Sequence, residues 1–249
     1  MKGRWIGSPG LATVFVVTLG LGGCGWASLP SGATSQAELM HRDWTVFTIA
    51  GLCVFAIVGG LIVGSPFVWR RRGEALPPQF RRNVPIEIIT TVIPLIMIAL
   101  LFVLTYRVES VVERLSPSPS TIVDVVGFRW SWRFQYSGTS VQVIGTPKQP
   151  PEMVIPLGRT TRINLESADV NHAFWVPGFL FKRDAIPGVH NSFDWHPDHL
   201  GVFVGRCAEF CGLEHAFMTF AVRVVPPDEF ERWLRQHETR PTAYRQGPR

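Results

Sequence analysis

The chain has 249 residues, of which 46% are hydrophobic and 17% are charged, and its formal net charge is +5. This length is enough for one ordinary domain plus membrane segments. The excess positive charge lies between two apolar segments, whereas the region from Leu115 onward has 14 basic and 13 acidic residues. A nearly neutral C-terminal region has no electrostatic footprint for nucleic acid, which excludes a nucleic-acid-binding protein.

The first 23 residues have the features of an export signal. Two basic residues precede a mostly apolar run over residues 11–21, and small residues end it directly before Cys24. This pattern predicts a secretory signal peptide over residues 1–23. It also resembles a bacterial lipoprotein signal, which would be cut before Cys24 and leave that thiol acylated. A plain signal peptide with an incidental cysteine is the alternative, and both predict an exported segment over residues 24–43.

Two uncharged segments follow, at residues 44–69 and 88–106. As helices rising 1.5 Å per residue, they can cross about 30 Å of hydrocarbon. The loop between them, residues 70–87, carries five arginines. The positive-inside rule therefore predicts that this loop lies in the cytoplasm and that both outer ends of the hairpin are exported. Cys53 lies within the first segment and is interpreted as a small buried apolar residue.

Short segments rich in valine, isoleucine, threonine and aromatic residues begin after the second span and are separated by turn residues, as is typical of strands. The predicted strands are residues 121–126, 129–136, 141–144, 153–156, 160–165, 201–206 and 217–225. Their spacing indicates a Greek-key β-sandwich over residues 115–238. The chain is therefore predicted to be a membrane-anchored all-β protein.

A short helix is predicted after Pro226. The apolar residues Phe230, Trp233 and Leu234 recur there at three- and four-residue spacing, as expected of a helix packed on the sandwich. The arginine-rich residues 239–249 are expected to be disordered.

The loop before the last predicted strand concentrates metal-binding side chains. Cys207, Cys211, His215 and Met218 lie within twelve residues. Thiolate and thioether are soft ligands that suit copper, and imidazole binds copper as well. A structural zinc site would use cysteine and histidine at pairwise spacings and would gain nothing from a thioether. The spacing therefore favours a copper site.

The second cysteine distinguishes this loop from a mononuclear blue-copper site, which needs one thiolate, two imidazoles and a weak methionine. Two thiolates can each bridge two copper ions, so the loop lacks only a second histidine, and His172 is the best candidate. A disulfide between Cys207 and Cys211 in an oxidising compartment is the alternative, but it leaves Met218 unexplained. The remaining candidates are interpreted as solvated histidines: His190, His196, His199 and His237.

The Cys-x3-Cys-x3-His-x2-Met motif and residues 169–177 together resemble the binuclear copper A centre of cytochrome c oxidase subunit II, and the resemblance covers most of the chain. It implies a cupredoxin fold for the exported domain. The implied copper ligands are His172, Cys207, the backbone carbonyl of Glu209, Cys211, His215 and Met218. The resemblance further implies a subunit of a bacterial inner-membrane oxidase, with its copper domain on the periplasmic face. Such a subunit accepts electrons from cytochrome c and passes them to haem in subunit I, where oxygen reduction to water is coupled to proton translocation.

An aromatic segment over residues 128–136 aligns with the family segment that holds the tryptophan through which electrons enter, and Trp130 matches that position. The alternative is that Trp130, Trp132 and Phe134 form one buried strand face, which is preferred for the latter two. Family members follow this segment with acidic residues that attract a basic cytochrome c. Residues 135–149 contain no aspartate or glutamate, so weak electrostatic steering of the donor is expected.

The resemblance also gives roles to two carboxylates. The Glu209 side chain is implied to bind a magnesium ion at the interface with subunit I, although the acidic residue that assists it in the family corresponds to Ala168 here. Glu87 matches the carboxylate at the mouth of one proton-uptake path, and the tryptophan usual in that helix start is Thr90 here. An interfacial carboxylate beside cytoplasmic arginines is the alternative for Glu87. Residues 182–188 resemble the segment that packs over the haem-bearing subunit.

Three other assignments fit parts of the sequence. A quinol oxidase subunit II would share the two spans and the sandwich but lack the copper ligands. A relay of the nitrous oxide reductase kind would share the ligand loop but not the two-span anchor. A membrane-anchored copper-delivery protein for the oxidase is the principal alternative, and it predicts a thioredoxin-like βαβ pattern. The absence of a Cys-x2-Cys-His sequence excludes a covalently attached haem on this chain.

Overall fold

The computed structural model describes residues 32–70, 73 and 81–238. The predicted signal peptide over residues 1–23, Cys24 and the tail over residues 239–249 lie outside the described residues. Half of the predicted cytoplasmic loop, nine of its 18 residues, lies outside them as well.

Two long helices come first, α1 over Ser35–Val68 and α2 over Val84–Val112. Both are long and apolar enough to cross a membrane, and neither has its most apolar part buried against the rest of the chain. They cover the two predicted spans except for Trp69, which caps α1, and they extend beyond them at the ends next to the β-domain and, for α2, by four residues at the other end. The Thr34 hydroxyl caps α1 by accepting a hydrogen bond from the Ala37 amide at 3.1 Å. The added turns next to the β-domain carry polar and charged side chains.

The domain that follows has ten strands and a C-terminal helix, α3, over Pro227–Glu238. The strands are β1 Thr121–Phe128, β2 Ser131–Tyr136, β3 Gln142–Ile144, β4 Glu152–Pro156, β5 Thr161–Ser167, β6 His172–Val176, β7 Phe181–Ala185, β8 Asn191–Trp195, β9 Gly201–Cys207 and β10 Thr219–Val225. They form two five-stranded sheets with the orders β3-β2-β1-β5-β8 and β4-β10-β9-β6-β7. The β1–β5 and β4–β10 pairs are parallel and the others antiparallel. This arrangement confirms the predicted cupredoxin-like sandwich.

Three strands, β6, β7 and β8, were not predicted. Charged residues interrupt the apolar alternation in β7 and β8, and Pro177 and Pro187 separate the three strands. Predicted strand boundaries also differ from the observed ones by one or two residues, and two of these differences lie next to the candidate site. The strand predicted to begin at Arg129 begins at Ser131, because Arg129 and Trp130 lie in the turn after β1. The last strand begins at Thr219 rather than residue 217, because residues 215–217 form a 3-10 turn.

An aromatic core fills the space between the sheets. Phe174 of β6 stacks on Phe220 of β10, with ring centroids 4.4 Å apart. Trp132 and Phe134 are fully buried and meet Phe220 edge to face, as predicted for the inner face of β2. Full burial of one such ring contributes about 1.5–3 kcal/mol to folding. The core therefore provides a rigid base for the loop that follows β9.

Candidate metal centre

Two paired strands position the candidate ligands. Cys207 is the last residue of β9 and His172 the first of β6, and these strands pair antiparallel with Phe174 opposite Cys207. The two ends of the loop from Cys207 to Met218 are held together, because the Cys207 amide donates a hydrogen bond to the Met218 carbonyl at 2.9 Å. The register of a packed sheet thus fixes both halves of the site.

The predicted ligand side chains converge around the two thiols. The Sγ atoms of Cys207 and Cys211 are 3.9 Å apart. The Cys207 Sγ lies 3.8 Å from the Nδ1 of His172, and the Cys211 Sγ lies 3.5 Å from the Nδ1 of His215. The Met218 Sδ is 3.7 Å from the Cys211 Sγ. The structure therefore brings together all five side chains predicted to hold copper.

The backbone carbonyl of Glu209 also faces the site and accepts a hydrogen bond from the Cys207 thiol at 3.2 Å. The Glu209 side chain is exposed. The Glu209 carbonyl therefore faces the thiols while its carboxylate is exposed to solvent, as required if the carbonyl binds copper and the carboxylate binds magnesium.

Most of the site is closed to water. His172, Cys207, Cys211 and Met218 are buried, and His215 is half-buried. Both cysteines are free, and their sulfur separation is far greater than the roughly 2.05 Å of a disulfide. The structure therefore shows no disulfide between Cys207 and Cys211.

The two thiols differ in acidity. Burial alone would raise the pKa of Cys207, but hydrogen bonds, chiefly with His172, lower it to about 7. Burial and the charge of the neighbouring Cys207 raise the pKa of Cys211 to about 12. Two thiolates this close together require a cation to balance their charge, which a bound metal would supply.

His172 is oriented by a carboxylate. Its Nε2 lies 2.8 Å from the Oδ1 of Asp169, while its Nδ1 faces Cys207. The Asp169 carboxylate also accepts hydrogen bonds from the backbone amides of Arg129 and Val170. Burial raises the pKa of Asp169, but the hydrogen bond with His172 and these amides together hold it below its usual value. Such a partner fixes the ring of a metal-binding histidine. Asp169 was not predicted to have a role, although its position three residues before His172 was a usable signal.

Trp130 contacts the metal loop directly. Its indole Nε1 donates a hydrogen bond to the carbonyl of Cys211 at 3.0 Å, and its ring is half-buried. The ring lies over Gly212, where φ is +117° and an added Cβ would lie 3.1 Å from the indole nitrogen. Trp130 therefore lies in the turn before β2 and outside the strand face formed by Trp132 and Phe134, and it packs against the core from there.

Glu87 is remote from this site. It lies in the first turn of α2, exposed, where its carboxylate is 3.8 Å from Arg82 and accepts a hydrogen bond from the Asn83 amide. The 25 residue-to-residue steps from Glu87 to Val112 correspond to about 38 Å of helix, so Glu87 lies at the end of α2 away from the β-domain.

The donor set fits copper. The ligand atoms of His172, Cys207 and Cys211 all lie within 4.8 Å of one another. Two soft thiolates, two imidazoles and a thioether match the preference of copper better than that of magnesium, calcium or a structural zinc ion.

Comparisons with known proteins agree with this chemistry. Residues 148–225 match the family described as "Cytochrome C oxidase subunit II, periplasmic domain". The chain is 36% identical to the probable cytochrome c oxidase subunit 2 of Streptomyces avermitilis, over 83% of this chain and 77% of the relative. It is 33% identical to cytochrome c oxidase subunit 2 of Mycobacterium tuberculosis, over 86% of this chain and 77% of the relative.

A solved structure is also similar. The periplasmic domain of subunit II of cytochrome oxidase from Bradyrhizobium japonicum has 32% sequence identity and a TM-score of 0.46, covering 50% of this chain and 98% of that one. The family assignment rests on the full-length relatives, whose similarity spans both the helices and the β-domain. The chain belongs to the cytochrome c oxidase subunit II family.

Proposed function

We propose that this chain is the electron-accepting subunit of a bacterial cytochrome c oxidase and that it holds a binuclear copper A centre. The observation that supports this most directly is the convergence of two free thiols, two imidazoles and a thioether at one buried site. A quinol oxidase subunit II lacks such ligands. The thioredoxin-like pattern of a copper-delivery protein is not seen either, since residues 121–225, all of them described, contain only strands, turns and two 3-10 turns.

The residues proposed to hold the two ions are His172, Cys207, Glu209 through its carbonyl, Cys211, His215 and Met218. When bound, the copper pair would supply a one-electron carrier. The protein contributes rigidity, because β6, β9 and the aromatic core fix the ligands in place. Four of the ligand side chains are buried, which excludes water and leaves no open position for a substrate.

Trp130 is the proposed point at which electrons enter. Its ring is partly exposed, and its indole nitrogen is hydrogen-bonded to the carbonyl of a proposed ligand, Cys211. This contact gives a short connection from the protein surface to the metal loop. The proposed donor is a cytochrome c, and the proposed acceptor is haem in subunit I, where oxygen is reduced to water.

The remaining roles carried over from the family concern the membrane complex. The α1–α2 hairpin is proposed to lie in the bacterial inner membrane with the copper domain on the periplasmic side. The exposed Glu209 carboxylate is proposed to bind magnesium at the interface with subunit I. Glu87 is proposed to lie at the mouth of a proton-uptake path, and its exposure at the far end of α2 is compatible with that position.

Metal analysis of the purified full-length chain tests this proposal. We expect two copper ions per chain after reconstitution. Cys207→Ser and Cys211→Ser should each lose the binuclear centre, because each removes one of the two soft thiolates from the site. Met218→Leu should retain copper and change the redox potential, because a thioether is a weak ligand. One zinc ion and no copper would contradict the assignment.

A further inference from the structure

The segment before α1 is part of the β-domain. The Ala33 amide donates to the Gly178 carbonyl at 2.9 Å, and the Ser35 amide donates to the His196 carbonyl at 3.1 Å. The Asp198 amide donates in return to the Ala33 carbonyl at 3.2 Å. Through the last two of these hydrogen bonds, residues 33–35 pair with residues 196–198, which follow β8. The helix α1 therefore begins on the surface of the domain rather than at the end of a free linker.

Gln36, in the first turn of α1, extends this contact. Its Nε2 donates to the Asp194 carbonyl at 3.2 Å, and its Oε1 accepts from the His196 amide at 3.1 Å. The side-chain amide thus pairs with the backbone at the end of β8 as a neighbouring strand would. Thr34 and Ala37 on either side are fully buried, so the contact excludes water.

The connection from α2 reaches the same strand. The Asp194 carboxylate accepts the Ser116 amide at 2.6 Å and binds Arg162 through two hydrogen bonds of 2.8 and 2.9 Å. Arg162 in turn donates to the Ser116 carbonyl at 2.7 Å. Asp194 is 4% exposed. A second ion pair joins Glu113, just after α2, to Arg183 of β7.

We propose that Asp194 is a positioning residue that ties both helices to the β-sandwich. Its carbonyl holds α1 through Gln36, and its carboxylate holds the connection from α2 through Ser116. A buried, bidentate charge pair of this kind is geometrically specific, and removing the Asp194 charge leaves the Arg162 guanidinium without its carboxylate partner. The orientation of the domain relative to the membrane is therefore set within this chain, before any other subunit binds.

The neighbouring residue links this junction to the metal centre. Trp195 stacks on Phe174 at 5.7 Å between ring centroids, and Phe174 is paired with Cys207 across β6 and β9. Under the proposed function, a fixed orientation holds the copper ligands at a constant distance from the acceptor in the membrane. Asp194 would then affect the transfer of electrons out of the domain and not their acceptance from the donor.

A distance measurement on the full-length, copper-free chain in lipid nanodiscs tests the positioning independently of the metal. Spin labels attached to genetically encoded ketone residues at Glu109 and Ser140, both exposed, report the separation of α2 and the domain without modifying the cysteines. We expect one narrow distance distribution in the parent chain and a clearly broader one in Asp194→Asn. Glu152→Gln is the control. It removes a charge from the ion pair with Arg223, which lies away from α1 and α2, and it should leave the width of the distance distribution unchanged.

An equally narrow distribution in Asp194→Asn, or equal broadening in Glu152→Gln, would overturn the proposal. If Asp194→Asn does not fold, Gln36→Leu decides the question, since it leaves the Arg162 pair intact. A broader distribution in Gln36→Leu supports the proposal, and an unchanged one overturns it. In the assembled oxidase, Asp194→Asn should retain the copper spectrum and the rate of reduction by cytochrome c but slow haem reduction. A slowed first step with normal haem reduction would contradict the consequence for electron transfer.

Discussion

At the scale of single residues, Trp130 and Trp132 have different environments although they are two positions apart. Trp130 is half-buried and bonded to the Cys211 carbonyl, whereas Trp132 is fully buried against His172 and the aromatic core. We expect Trp130→Gln to slow electron transfer from cytochrome c strongly and to leave copper content intact. Trp132→Phe should instead cost about 1–3 kcal/mol of stability with little effect on electron acceptance. Stopped-flow reduction and metal analysis of both variants measure the difference, and wild-type kinetics in Trp130→Gln would place the donor elsewhere.

Proton release on metal binding follows from the acidity of the two thiols. A metal binds thiolates, so bound protons must leave. Because the pKa of Cys211 is about 12, its proton is present at pH 8 and is released when copper binds. Cys207, with a pKa of about 7, is largely ionised at pH 8 and protonated at pH 6. From the thiols alone we expect about one proton per centre at pH 8 and nearly two at pH 6, and a copper affinity that falls as the pH falls. Titration in weakly buffered solution measures this release, and a release independent of pH would contradict the assigned acidities.

At the scale of elements, Tyr136 connects the two sheets. Its hydroxyl donates to the Val154 carbonyl at 2.9 Å and accepts from the Val154 amide at 2.7 Å. β4 is an edge strand, so these two backbone groups have no strand partner on that side. Tyr136→Phe leaves both groups buried and unpaired, and we expect a loss of about 1–3 kcal/mol in the free energy of unfolding. Ser137→Ala, which removes an exposed hydroxyl, should change it by less than about 0.5 kcal/mol in the same denaturant titration.

The sequence determined these elements to different degrees. The Cys207–Met218 ligands could be predicted because their spacing is local, and the inner face of β2 followed from its alternation. By contrast, β7 and β8 could not be recognised, since their charged residues bind partners distant in sequence. Asp194 pairs with Arg162 across the β5–β8 register, and Gln36 reaches Asp194 across 158 positions. A pattern within a short stretch of sequence cannot indicate contacts between residues so far apart along the chain.

At the scale of the whole molecule, the segment that follows Trp130 offers little attraction for a basic donor. Residues 135–149 have no carboxylate, and Asp169 is engaged with Arg129 and His172. We expect the association rate with cytochrome c to fall much less than the roughly 10-fold or greater change of strongly steered pairs when ionic strength rises to physiological values. Stopped-flow kinetics of the oxidase across a salt series measure this dependence. A steep dependence would show that carboxylates elsewhere in this domain, or on a neighbouring subunit, attract the donor.

The hairpin and its contacts with the domain predict the membrane topology. The beginning of α1 and the connection after α2 both bind β8, so we expect these two ends and the β-sandwich to lie on one side of the membrane. We expect the other ends of the helices, where Arg70, Arg81 and Arg82 are exposed, to lie on the opposite side. Because short cytoplasmic loops are rich in lysine and arginine, we expect a cytoplasm-specific reporter to be active at Gly73 and an export-specific reporter to be active after Glu238. A control fusion at Ser140, in the domain, should behave like the one after Glu238. Activity of the cytoplasmic reporter at Ser140 would reverse the orientation of the protein and contradict acceptance of electrons from a periplasmic cytochrome.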